Sequence, residues 1–155
     1  MEWGEIGIVV LLILAVGVFV FLNGFFVAAE FALVKLRDTQ LEPLVVAGQR
    51  RARMARHLLK NLDGYLSACQ LGITLASLSL GYVGHPISTK LLGPIYELQI
   101  NGEPLLANEH WQQTISIAVG FTVITLLHIV VGEMAPKWLA IQRPLPTSLW
   151  VAYPL

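Results

Sequence analysis

The chain has 155 residues and no formal net charge; 55% of its residues are hydrophobic and only 13% are charged. A soluble domain carries about 25% charged residues, so this composition points to a membrane protein. Ten basic and ten acidic residues cancel, which excludes a basic nucleic-acid-binding domain, and the single cysteine, Cys69, excludes a disulfide scaffold.

Three stretches without formal charge are long enough to cross a bilayer, whose hydrocarbon core of roughly 30 Å needs about 20 apolar residues. They predict spans at 6–34, 64–85 and 111–133. The first stretch is a retained span and not a signal peptide, because it has no basic n-region and continues into Glu30 without a cleavage site. The sequence therefore predicts an all-α polytopic membrane domain.

Basic residues are concentrated between the first two predicted spans. Seven of the ten Lys and Arg residues lie between Lys35 and Lys60, whereas the segment 85–110 carries one lysine and three glutamates. The positive-inside rule therefore predicts an external N-terminus, a cytoplasmic 36–60 segment and a cytoplasmic C-terminus. Apolar residues recur among the bases of this segment, which predicts two short amphipathic helices, broken near Gly48, on the membrane surface or against another domain.

The third predicted span ends near Pro136. Proline has no N–H to donate to the carbonyl of Gly132, four residues earlier, so we expect a helix break there. The residues after it, 137–153, include two tryptophans and a tyrosine, which are typical of a membrane interface, and predict a juxtamembrane helix.

Polar residues within apolar spans face protein, water or a ligand, because lipid does not solvate them. In the second span, Gln70, Thr74 and Ser77 share one helical face, which is either a helix-packing seam or an oxygen-lined cation path. In the first span, Asn23 and Glu30 share a face, and Glu30 is either an interfacial carboxylate or part of a permeation route.

A carbonyl and a carboxylate come together at the end of the third span. Gly132, whose carbonyl Pro136 leaves free, is followed by Glu133, and such broken-helix carbonyls coordinate cations in transporters. The pair predicts a cation site; the alternative is an ordinary helix end with Glu133 paired to Lys137. We interpret His128, on the same span, as a hydrogen-bonded packing residue in preference to a ligand.

The motifs of common enzymes do not occur in this sequence. It contains no HExxH, no cysteine–histidine cluster and no phosphate-binding glycine loop followed by Lys-Ser or Lys-Thr. We therefore expect no enzymatic activity and no bound cofactor.

A resemblance to a known family rests on three segments: NGFFVAAEFALVKLR, LSACQLGITLASLSLGYVG and LHIVVGEMAPKWLAIQ. Together they resemble the transmembrane domain of the CNNM/CorC magnesium transporters across nearly all of residues 1–155, with greatest similarity to the bacterial hemolysin-C-like branch. The resemblance implies a homodimer in the bacterial plasma membrane, with an acidic cavity open to the cytoplasm and Mg²⁺ export coupled to Na⁺ entry. It also implies a CBS pair and a small C-terminal domain after residue 155.

The family's Gly-Glu motif falls on Gly132 and Glu133, which the resemblance implies as Mg²⁺ ligands. Two positions that are polar in many relatives are Val27 and Ile73 here. Either oxygens one helical turn away substitute for them, or the ion retains water or differs from Mg²⁺. The predicted ligands and nearby cavity residues are therefore Glu133, Gly132, Ser77, Thr74 and Asn23, with Glu30, Gln70 and His128 around them.

The sequence thus predicts a domain that exports Mg²⁺ or a similar divalent cation. Two alternatives remain open: a cation-sensing membrane scaffold without transport, and an exporter of another cation such as Co²⁺ or a polyamine.

Overall fold

The polypeptide is helical along nearly all of the part that the computed structural model describes, residues 3–96, 99–100, 103–104 and 109–155. The helices in chain order are α1 (Trp3–Lys35), α2 (Asp38–Val46), α3 (Arg50–Lys60), α4 (Leu62–Tyr96), α5 (Glu109–Leu127), α6 (Ala135–Gln142) and α7 (Pro144–Val151). A π-helical segment, His128–Met134, joins α5 to α6, and β1 (Gln99–Ile100) pairs antiparallel with β2 (Glu103–Pro104). The predicted all-α class is confirmed.

Within the part of the chain that the structure describes, three helical stretches are long and apolar enough to cross a membrane: Ile6–Lys35, Leu62–Gly84 and Gln113–Gln142. They contain large apolar side chains that face outward, such as Leu14 and Phe21 on α1. Exposed side chains of this kind are unfavourable in water and favourable in hydrocarbon. The prediction of a polytopic membrane domain with three spans is therefore confirmed.

The predicted helix break at Pro136 is wrong. The chain stays helical from Gln113 to Gln142, and Pro136 occupies the second position of α6. What changes is the hydrogen bonding before it: in the π-helical segment, the Ala135 N–H donates to the Val130 carbonyl, five residues earlier. A π turn lengthens the hydrogen-bonded ring by one residue, so the helix passes a residue without an N–H and does not end.

The segment predicted as one juxtamembrane helix, 137–153, forms parts of two helices. α6 continues the third span, and α7 begins at Pro144. Arg143 lies between them with φ −129° and ψ 62°, because the ring of the following proline disfavours the α conformation. The chain therefore turns at Arg143, and α7 packs back against α1.

The basic segment between the first two spans forms two short helices, as predicted. Gly48 separates them with φ +80°, a left-handed conformation that glycine adopts without steric cost. The buried side chains of α2 and α3 pack against the end of α1 and against α7 in one cluster: Leu33, Leu36, Leu41, Ala52, Ala55, Leu58 and Ala152. The Arg56 guanidinium also contacts the Asp38 carboxylate at 2.7 Å, which joins α3 to α2.

Small residues allow α1 and α4 to approach closely. The α carbon of Gly72 on α4 faces Phe26 on α1, and a Cβ atom added there would lie 2.6 Å from the ring. On α1, Ala29 and Ala32 are fully buried. Close approach of small residues is a general basis of helix association in membranes. α1 therefore packs along α4 on one side and against the π-helical segment, α6 and α7 on others, while α5 packs against α4.

Replacing Gly72 by alanine is expected to lower the free energy of unfolding by about 1–3 kcal/mol, because the rigid Phe26 ring must move. Thermal unfolding in detergent measures this loss. Gly81→Ala on the same helix is the matched control, since a Cβ atom there meets nothing within 4 Å. Equal unfolding midpoints for the two variants would contradict the packing described.

Candidate cation site

Asn23 connects α1 to the π-helical segment. Its side chain is only 1% exposed, and its amide Nδ2 donates a hydrogen bond of 2.9 Å to the carbonyl oxygen of Gly132. An amide nitrogen only donates and a carbonyl oxygen only accepts, so this bond determines the orientation of the Asn23 amide. The oxygen Oδ1 is then directed to α4, on the other side of the cluster.

Ser77 on α4 completes the cluster with His128. The Ser77 hydroxyl donates to Asn23 Oδ1 at 3.2 Å, and Ser77 Oγ also lies 3.3 Å from His128 Nε2. A hydroxyl has one proton to donate, and here Asn23 receives it. His128 Nε2 lies within hydrogen-bond distance of Ser77 Oγ, and the direction of that bond depends on the tautomer of the imidazole. Asn23, Ser77, Gly132 and His128 are called the polar cluster below.

A cavity of about 290 Å³ lies beside the polar cluster, between α1, α4 and the π-helical segment. Its polar lining comes from Glu30, Gln70, Thr74 and Glu133, and its apolar lining includes Val27 and Ile73. Gln70 Nε2 donates to Glu30 Oε1 at 3.3 Å, so the amide of Gln70 orients the carboxylate of Glu30 in the cavity. We call this the acidic cavity.

Negative charge dominates the acidic cavity. Two carboxylates line it, and the described residues of its lining include no lysine or arginine. Within the described residues, Glu133 forms no ion pair with Lys137, whose ammonium lies 4.5 Å from the centre of the Phe31 ring instead. An unneutralised pair of carboxylates between membrane-spanning helices attracts a cation, because the surrounding hydrocarbon screens the charge poorly.

The predicted site residues thus fall into two adjacent groups. The polar cluster contains Asn23, Ser77, Gly132 and His128, and the acidic cavity contains Glu30, Gln70, Thr74 and Glu133. The groups adjoin, because Thr74 and Ser77 are one helical turn apart and Gly132 directly precedes Glu133. Val27 and Ile73 line the acidic cavity itself and offer no side-chain oxygen. The side-chain oxygens of its lining come from nearby residues such as Glu30 and Thr74.

His128 lies on the side of the cluster away from the acidic cavity. It lines a second, mostly apolar cavity of about 360 Å³ between α4 and α5, together with Ser77 and Thr125. Its hydrogen bond to Ser77 and its apolar neighbours agree with the interpretation of a packing residue.

Carboxylates and neutral oxygens supply the candidate ligands. Among the residues that the structure describes, no three of His, Cys, Asp and Glu come together in a group that could hold a metal ion. A bound ion would therefore depend on one or two carboxylates and on amide, hydroxyl and carbonyl oxygens, which are the ligands of hard cations such as Mg²⁺.

The bond from Asn23 to Gly132 has no signal in the sequence, because the two residues are 109 positions apart. Phe31, which lines the acidic cavity and receives the Lys137 ammonium, was not predicted either. The sequence signal that could have placed Phe31 in the cavity lining is that it directly follows Glu30.

Replacing Pro136 by alanine is expected to weaken divalent-cation binding by about 10–100-fold, the typical cost when a group that supports a metal ligand is changed. The new N–H lies four residues after Gly132 and can donate to its carbonyl in an α-helical bond, in competition with Asn23. Titration with Mg²⁺ measures the affinity, and Pro146→Ala on the exposed side of α7 is the control. Undiminished affinity in the Pro136 variant would show that the missing N–H is irrelevant to the site.

Comparison with known proteins supplies relatives for this fold and site. A family model described as the Cyclin M transmembrane N-terminal domain (CNNM) matches residues 12–155. The chain is 40% identical to the UPF0053 protein YugS of Bacillus subtilis over 146 residues, which cover 94% of this chain and 33% of that relative. It is 43% identical to YhdT of the same organism over 143 residues, 92% of this chain and 30% of the relative. The chain thus spans about a third of the length of these relatives.

Proposed function

Because this chain belongs to the CNNM family, whose transmembrane domain it matches over residues 12–155, we propose that it exports Mg²⁺, or a similar divalent cation, from the cytoplasm. The observation that carries the proposal is the acidic cavity, where Glu30 and Glu133 converge next to the polar cluster. This combination of carboxylates, which have no cationic partner among the described residues, with buried neutral oxygens suits a hard cation.

Glu133 is the proposed anionic ligand. The neutral oxygens would come from Gly132, Ser77, Thr74 and Asn23, and Glu30 would add negative potential at the entrance. Mg²⁺ demands about six oxygens in octahedral geometry and gives up its waters reluctantly, so part of the shell would remain water.

The residues of the polar cluster hydrogen-bond to one another, and these bonds lower the affinity that we expect for a cation. Asn23 Nδ2 occupies the Gly132 carbonyl, and Ser77 donates to Asn23 Oδ1. A cation that uses these oxygens must first displace the N–H and O–H donors, which costs part of the binding free energy. Such a site would bind weakly and release its ion readily, as a transporter requires.

The direction and setting of transport are also proposals. The positive-inside rule orients the basic α2 and α3 towards the cytoplasm, where the acidic cavity would receive Mg²⁺ in a multi-pass protein of the bacterial plasma membrane. We propose Na⁺ entry as the coupled reaction and a homodimer as the active form. The threefold greater length of the relatives is consistent with further domains, and we propose a cytoplasmic CBS pair among them.

A flux measurement in proteoliposomes tests this function. Purified protein is reconstituted with a Mg²⁺-sensitive dye, and Mg²⁺ movement is recorded with and without an opposing Na⁺ gradient. We expect saturable Mg²⁺ movement that the Na⁺ gradient accelerates. Saturable binding without any flux would overturn the transport proposal in favour of a cation sensor. If Co²⁺ or a polyamine moves and Mg²⁺ does not, the assignment of the ion is wrong.

A further inference from the structure

An apolar groove of about 550 Å³ runs along a side of α1 that differs from the side lining the acidic cavity. One wall is α1 from Gly17 to Ala28, the other is the third span from Leu127 to Leu139, and Trp150 of α7 lines it as well. Large apolar side chains border the groove and remain exposed, including Phe21 at 63%.

The groove has the length of one leaflet. Gly17 to Ala28 covers about 16 Å of helix at about 1.5 Å per residue. Half of a hydrocarbon core of roughly 30 Å is about 15 Å. A groove that follows two membrane-spanning helices over this distance matches the length of a single extended acyl chain.

The end of the groove next to α7 suits a lipid headgroup. Trp150 packs edge to face against Phe25, with ring centroids 5.8 Å apart, and tryptophan is typical of the membrane interface. Arg143 follows Leu139 by one helical turn, and its N–H donates to the Leu139 carbonyl at 2.9 Å. Arg143 is exposed and follows the last groove residue of the third span in the chain, so its long basic side chain can reach a lipid phosphate at this end.

The groove is closed towards the polar cluster. A Cβ atom added to Gly24 would lie 3.0 Å from Pro136 Cγ and 3.6 Å from the Gly132 carbonyl oxygen. Glycine therefore lets α1 touch the third span at the floor of the groove. The same contact separates the groove from the Asn23 bond to Gly132, so an occupant of the groove would not enter the cation path.

From this geometry we propose that the groove is a binding site for one acyl chain of a membrane glycerophospholipid, with the phosphate near Arg143. The chain lies in the leaflet adjacent to α6 and α7. The groove shares no lining residue with the acidic cavity, so this proposal does not rest on the proposed cation transport.

Photocrosslinking in membranes tests the proposal. The probe is phosphatidylglycerol with a diazirine on its acyl chain, and labelled peptides are identified by mass spectrometry. We expect labels concentrated in the segments 17–28 and 127–139. Gly17→Leu should reduce this labelling severalfold, because its side chain would enter the groove in space where a Cβ atom meets nothing within 4 Å.

Gly7→Leu is the matched control, since Gly7 also lies on α1 with open space around it but lies outside the groove. Equal labelling of both variants would overturn the proposal. So would labels spread evenly over exposed positions of other helices, such as Leu75 and Leu78. Disulfide formation between copies that carry Phe21→Cys in a Cys69→Ala background, with no lipid label in the groove, would assign it to a second copy instead.

Discussion

Replacing Glu133 by glutamine is expected to weaken Mg²⁺ binding by more than about 100-fold, since changes to groups that merely support a metal ligand already cost about 10–100-fold. The variant keeps the size and shape of the side chain but removes its charge. Glu133 lines the acidic cavity without a cationic partner among the described residues, so its charge is available to an ion. The helices should remain intact, because no hydrogen bond within the described residues depends on this carboxylate.

Isothermal titration of the purified protein with Mg²⁺, with Na⁺ as competitor, measures this effect. Glu42→Gln is the matched control: Glu42 is exposed on α2, and the substitution removes the same charge far from the acidic cavity. Binding that survives in Glu133→Gln and falls in Glu42→Gln would move the site away from the third span. Loss in both variants would indicate a general effect of net charge.

Replacing Asn23 by leucine is expected to destabilise the fold by about 2–6 kcal/mol. The variant removes both hydrogen bonds of the Asn23 side chain and leaves the Gly132 carbonyl and the Ser77 hydroxyl without these partners in the protein interior. Each buried polar group that loses its partner costs about 1–3 kcal/mol. Two groups are affected. Leucine has the same number of side-chain heavy atoms and the same branching as asparagine but is bulkier, so overpacking adds to the loss of the hydrogen bonds.

Chemical unfolding in detergent measures the destabilisation. Asn61→Leu is the control, because Asn61 is exposed and its Nδ2 bonds only the nearby His57 carbonyl. If Asn23→Leu does not fold well enough to be measured, Ser77→Ala tests the same cluster with a smaller expected loss of about 1–3 kcal/mol. Stability equal to that of the control in both variants would show that the polar cluster does not hold α1 to the third span.

Much of the candidate site could be predicted from residue types and spacing. Gln70, Thr74 and Ser77 share a face of α4, and the structure places all three against α1 or the third span. The reason is local: a helix puts residues three and four apart on one side, and polar groups turn away from lipid. The division of these residues between the acidic cavity and the polar cluster did not follow from spacing.

The behaviour of Pro136 shows where local rules fail. Its missing N–H drew attention to the Gly132 carbonyl, which accepts a hydrogen bond from Asn23, but the expected helix break does not occur. The π-helical segment lets the helix continue past Pro136, which has no N–H, and Asn23 from α1 donates a hydrogen bond to the Gly132 carbonyl. Neither feature could be predicted from the third span alone. The residues of this span do not specify whether it adopts π-helical or α-helical hydrogen bonds, and the bond to the Gly132 carbonyl requires Asn23 from another helix.

The three spans, the two basic helices between the first and second spans, and the residue types available to a cation follow from the order of the amino acids. These features depend on the length of charge-free runs and on helical periodicity, which are properties of single segments. The contact between Asn23 and Gly132, the cavity that Glu30 and Glu133 share, and the apolar groove between α1 and the third span arise from the packing of helices that are distant in the chain. Those contacts depend on the rotation and register of whole helices. Close packing at positions such as Gly24 and Gly72 restricts this rotation and register.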